Sequence, residues 1–93
     1  MATVYIPAVL QSLTRGDKEV SVEATTVRQI VARLEALYPG MKASLVEDDD
    51  LKPHIAVAVD GEVSVLGLME RVGEESEVHF IPALGGGSED PGL

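Results

Sequence analysis

One segment of this chain carries a sustained helical pattern, and the runs on either side of it alternate. Val27, Ile30, Val31, Leu34 and Leu37 recur at the 3.6-residue spacing of a helix with one apolar face. Thr26 stands before them with Gln29 three residues on, which is the form of a capping box. Pro39-Gly40 stops the run, and Met41–Val46 is expected to add a short further turn of helix. A lone amphipathic helix must bury its stripe against another layer, and here that layer can only be a sheet.

The strands follow from period-2 alternation. Residues 2–10 begin as a strand, with Val4 and Ile6 on one face and Thr3 and Tyr5 on the other. Arg15-Gly16-Asp17 is a turn signal, and residues 18–22 alternate again, Val20 and Val22 sharing a side, so a hairpin with the first strand is expected. Glu47-Asp48-Asp49-Asp50 reads as a solvated acidic loop. It lacks the spaced ligands and the glycine of a calcium loop, and no metal site is expected.

Residues 54–59 set Ile55, Val57 and Val59 against Ala56 and Ala58. Asp60-Gly61 is a tight hairpin signal, and residues 62–65 return as a short strand. Residues 66–73 form a loop with some apolar anchors, and residues 72–75 a turn. The last strand is residues 76–82, with Val78 and Phe80 on one face and His79 and Ile81 on the other. Pro82 ends its ladder, having no N–H to donate.

The order is β–β–α–β–β–β. That is an α+β fold, a mixed sheet of four to five strands with one main helix packed across one face. The expected inward set is Val4, Ile6, Val20, Val22, Ile30, Leu34, Ile55, Val57, Val59, Val78 and Phe80. Pairing the first strand with the last would make that pair parallel and central.

Ninety-three residues allow one domain. The chain has no cysteine, which removes disulfides, thiolate metal sites and a cysteine nucleophile. Net charge is −9, from 7 basic and 16 acidic residues. That argues against nucleic acid, where Lys and Arg neutralise phosphates, and fits either docking to a basic protein surface or ordinary solubility. The start has no basic segment leading into an apolar one, and no apolar run approaches the ~18 residues of a membrane span. A cytoplasmic protein without membrane contact is expected.

Gly85-Gly86-Gly87 follows the last strand after only Ala83-Leu84. Three glycines bury nothing and lose the most backbone freedom on ordering. Their use lies in entering a narrow site that admits only bare backbone, which makes a glycine carbonyl the candidate reactive group.

Taken together, the pattern resembles the β-grasp, ubiquitin-like fold, and specifically the ThiS/MoaD-type sulfur carriers. The residues carrying the resemblance span nearly the whole chain. They are Ile6-Pro7 with Leu10 and Leu13-Thr14, the Thr26-capped helix ending Leu34-Glu35-Ala36-Leu37-Tyr38-Pro39-Gly40, the hairpin from Val57 to Gly61, and the run from Val78 through Ile81-Pro82-Ala83-Leu84 to Gly87. Within the family the tail is most similar to the CysO-type carriers of cysteine synthesis.

The resemblance implies a carrier, not an enzyme. A ubiquitin-activating-like adenylyltransferase and sulfurtransferase uses ATP to adenylate the terminal glycine carboxylate, which then becomes a thiocarboxylate. The sulfur passes to an acceptor enzyme, cysteine-synthase-like in CysO-type systems, with molybdopterin, thiazole or a thiolated metabolite as other destinations. A zinc metalloprotease completes the set of partners. The carrier itself binds no cofactor. A second reading is a ubiquitin-like modifier joined to lysines of target proteins.

Most such carriers end at the diglycine, whereas this chain continues with Ser88-Glu89-Asp90-Pro91-Gly92-Leu93. Proteolysis between Gly87 and Ser88 is therefore expected, dividing the chain into a domain of residues 1–84, a glycine tail of 85–87 and an extension of 88–93. The cut lowers the acidic count from 16 to 14 against 7 basic residues, so the net charge becomes −7. Leu84, Gly85, Gly86 and Gly87 would enter the partner's active site, Leu84 as an anchor. The sheet face away from the helix carries Tyr5, Ala56, Ala58, His79 and Ile81, and is the expected partner surface. His54 is expected to be structural or exposed.

Overall fold

The computed structural model describes residues 1–82 of the 93. The first strand, β1 (Ala2–Tyr5), ends early because Pro7 turns the chain into a 3-10 turn at Ala8–Leu10, where the Leu10 N–H donates to the Pro7 carbonyl at 2.9 Å. β2 (Glu19–Val22) returns antiparallel to β1, as the hairpin signal implied.

The helix α1 covers Val27–Leu37, and a short α2 covers Met41–Leu45. Thr26 Oγ1 accepts the Gln29 N–H at 3.2 Å, the expected cap. Gln29 Oε1 reaches one residue further back than a capping box requires and accepts the Thr25 N–H at 2.8 Å. Thr26 is fully extended, with φ −140° and ψ 161°, and the segment is clamped: Val27 N–H donates to Glu70 and Val72 N–H to Thr25. Gly40 sits between the helices at φ +104°, a conformation glycine adopts without penalty. Glu35 caps α2 from outside, accepting the Gly40 N–H at 3.1 Å and the Lys42 N–H at 2.9 Å.

The acidic run is not a plain loop. It closes a small antiparallel hairpin, β3 (Val46–Glu47) with β4 (Asp50–Leu51). Asp48 and Asp49 form its two-residue turn at φ 56° and 63°, the left-handed pair that such hairpins need. Arg28 on α1 holds the turn down through Asp49 at 2.7 Å.

β5 (Ile55–Val59) and β6 (Glu62–Val63) pair through Asp60-Gly61, both at positive φ. β6 is shorter than the expected 62–65, since Ser64 turns inward and its hydroxyl donates to Glu70 Oε1. The loop that follows is pinned to the core by Leu68 and Val72, both buried.

β7 (Glu77–Pro82) is the middle strand of five, in the order β2-β1-β7-β5-β6. It runs parallel to β1, with Val4 level with Val78, and antiparallel to β5, with Val57 level with Phe80. Its last register partner is Pro82 against Ile55. Val4, Val22, Ile30, Leu34, Val57, Val78 and Phe80 are buried between sheet and helix, each contributing on the order of 1.5–3 kcal/mol.

The inward set needs corrections. Val20, Ile55 and Val59 are only partly buried, because they approach strand ends or the sheet edge. Leu37 is 54% exposed, because α1 ends there and the stripe has passed beyond the sheet. Val27, Val31, Met41, Leu45, Leu68 and Val72 complete the core. No helix among the described residues is long and apolar enough to cross a membrane.

Candidate functional site

The site is organised by β7. A strand hydrogen-bonded on both sides cannot shift register without breaking two ladders, so its end is fixed in position. Its start is fixed too. Asp60 accepts the Glu77 N–H at 2.9 Å through one carboxylate oxygen and the Ser76 hydroxyl at 2.9 Å through the other. Ser76 in turn accepts the Gly73 N–H at 2.7 Å.

Where β7 ends, Pro82 forms the rim of an apolar cavity of about 160 Å³, with Pro7, Leu10, Leu45, Ile55 and Phe80 around it. His54, exposed just before β5, also lines it. Leu84, Gly85, Gly86, Gly87 and Ser88, the residues on which the expected chemistry rests, lie outside the described residues.

The expected partner face is assembled by the sheet register. Glu19, Tyr5, His79, Ala58 and Val63 line up in one row across all five strands. Tyr5 and His79 are neighbours on the parallel pair, and their rings stack with centroids 4.3 Å apart and planes 6° from parallel. The Glu77 carboxylate, then partial burial, then Glu19 push the Tyr5 hydroxyl above its ordinary pKa. Ile81 is 43% exposed beside half-buried Ala56.

Ala58 departs from the expectation. It shares this face but is 6% exposed, because its single methyl lies low between the larger His79 and Val63. It is floor and not contact surface. Alternation found Tyr5 and His79 but not that they stack, since ring geometry depends on a pairing between opposite ends of the chain. The flanking Glu19 and Glu77 were missed, although Glu77 stands two residues before His79 and so on its face. The exposed Val65 and Met69 beyond β6 were also missed; they belong to a loop whose direction alternation does not set.

A five-stranded mixed sheet with parallel central strands, crossed on one face by one main helix, defines a ubiquitin-like β-grasp domain. The chain belongs to the ThiS family, whose profile matches residues 4–87. It is 30% identical over 90 residues to the sulfur carrier protein CysO of Mycobacterium tuberculosis, covering 91% of this chain and 97% of that one. It is 33% identical over 64 residues to small archaeal modifier protein 3 of Haloferax volcanii, covering 67% and 70%. In the crystal structure of the Amycolatopsis orientalis BexX/CysO complex, a chain 34% identical superposes with a TM-score of 0.88, covering 94% of this chain and all of that one. These relatives support a sulfur-carrier role, and such carriers are small domains rather than enzymes.

Proposed function

We propose that this protein carries sulfur as a thiocarboxylate on Gly87, after removal of Ser88–Leu93. The supporting observation is a coincidence of boundaries. The central strand ends at Pro82, and the family match ends at Gly87. The five residues between span at most about 17 Å, a leash long enough to enter a partner's channel from a fixed strand.

A carboxylate is a poor electrophile. In the proposed first step a Gly87 carboxylate oxygen attacks the α-phosphate of ATP on the activating enzyme, releasing pyrophosphate and leaving an acyl adenylate. Hydrosulfide supplied by that partner then attacks the carbonyl carbon, the C–O bond to AMP breaks with AMP leaving, and loss of the S–H proton leaves the thiocarboxylate. Any Cβ at Gly86 or Gly87 would crowd that approach. The carrier supplies no acid, base or metal ligand; it is a co-substrate working in the cytoplasm.

The tail residues Leu84 to Gly87 enter the partner's site while the Tyr5–His79 face docks. The similarity to CysO favours a cysteine-synthase-like acceptor, with a zinc metalloprotease to clear the extension. The similarity to a Haloferax modifier protein supports a second reading, conjugation of the same activated glycine to lysines.

Pyrophosphate exchange decides between an active and an inert terminus. The form ending at Gly87 should support ATP–pyrophosphate exchange by the activating enzyme, and the form ending at Leu93 should not. Equal exchange by both forms, or by neither, would contradict the proposal. Lysine-linked species on a denaturing gel would favour the modifier.

A further inference from the structure

Glu19 and Glu77 flank the stacked rings, and tail chemistry leaves them without a task. Glu19 lies beside Tyr5 in the same cross-strand row, and Glu77 lies one row away on β7, level with Thr3. Both are exposed. Among the described residues neither carboxylate has a salt-bridge partner, the only ion pair there being Arg28–Asp49. The strands themselves place no Lys or Arg on this face. The register sets Glu19 directly beside Tyr5 and Glu77 one row from the aromatic pair, and both carboxylates raise the Tyr5 hydroxyl above its ordinary pKa. The two rings cover one face of each other, and the free face of Tyr5 is on the β2 side, where Glu19 stands.

We propose that this face receives an arginine side chain of a protein partner, its guanidinium laid on the Tyr5 ring and paired with Glu19 and Glu77. The proposal rests on the reading that the chain docks on an activating enzyme, and names the chemistry of that contact. A planar guanidinium stacks on aromatic faces and offers forked donors to carboxylates, which a lysine ammonium does not. A wholly apolar partner would desolvate two carboxylates with nothing to pair them. A net charge of −9 also draws a cationic surface toward the chain at long range.

The test measures binding of the full 93-residue chain to the ubiquitin-activating-like enzyme of the same organism, by surface plasmon resonance across a salt series. Wild-type affinity should fall steeply with salt. The E19Q/E77Q double variant should bind about tenfold more weakly at low salt and show a shallower salt dependence, the remaining slope coming from the rest of the net charge. Tyr5→Phe keeps the ring and should stay within about twofold, while Tyr5→Ser should lose about five- to tenfold. Wild-type binding that E19Q/E77Q leaves unchanged would overturn this inference alone, whereas no binding by the wild type, both as the full chain and in the form ending at Gly87, would overturn the docking reading beneath it.

A partner-free arm keeps the two apart. In NMR titrations, N-acetyl-arginine amide should shift the Tyr5 and His79 ring signals more than N-acetyl-lysine amide does. That difference should vanish in E19Q/E77Q. Equal shifts from both compounds would overturn the inference.

Discussion

Asp60 is the residue whose replacement should most directly loosen the strand that leads to the tail. Its carboxylate joins the β5–β6 turn to the start of β7 through Glu77 N–H and the Ser76 hydroxyl, both at 2.9 Å. The residue itself is exposed at φ 52°. Buried charge-assisted bonds contribute about 1.5–3 kcal/mol each; on an exposed carboxylate about 1 kcal/mol each is the fair value. Alanine adds about 1 kcal/mol of left-handed backbone cost. Asp60→Ala should therefore cost roughly 3 kcal/mol, which for a domain of this size lowers the melting temperature by about 15 °C. Asp60→Gly removes the backbone cost and should lose about 2 kcal/mol. Asp60→Asn tolerates the turn and keeps an acceptor for Glu77, leaving only the Ser76 hydroxyl short of its partner, so it should lose about 1 kcal/mol. Calorimetry gives the ranking, and amide exchange at Glu77 should quicken in the same order. A ranking in which Asn is as damaging as Ala, or an Ala variant that melts with wild type, would refute this reasoning.

Gly40→Ala tests the helix junction: the nearest atom to a new Cβ is Leu13 Cδ2 at 3.6 Å, ordinary contact, so the cost is the φ of +104° and amounts to about 1–2 kcal/mol. An unchanged melting temperature would contradict it. Arg28 holds the Asp49 carboxyl below its ordinary pKa, first by their hydrogen bond and then by its charge. The pair therefore adds stability above the unfolded carboxyl's pKa, and that stability is lost as pH falls through the lowered folded value. An NMR titration should place Asp49 low, and Arg28→Gln should move it back up; a midpoint that does not respond would exclude the pair as cause. Gly87→Val should abolish adenylation of the form ending at residue 87 while leaving its melting temperature unchanged, and a variant still activated would remove the need for bare backbone.

The β-grasp was legible because each of its signals is local. The α1 stripe and the alternation of β5 and β7 are set by residues within one element, and placing β1 beside β7 needed only their shared apolar character. The β3–β4 hairpin was not legible, because its left-handed positions are taken by Asp48 and Asp49 where a glycine would have announced them. Tertiary clamping shifted the Gln29 bond to Thr25, and the burial of Ala58 depends on the size of its cross-strand neighbours. At the partner face, alternation placed the rings on one side, but the stack and the place of Glu77 arise from pairing residues more than seventy positions apart, and Glu19 comes in through the β1–β2 hairpin.

Intact mass spectrometry of the protein isolated from its native host tests the central claim, a carrier whose working end is Gly87. The expected spectrum contains a species of residues 1–87, and beside it the same species with one carboxylate oxygen exchanged for sulfur. A population ending only at Leu93, with no thiocarboxylate even when the activating enzyme, ATP and a sulfur source are supplied, would contradict it.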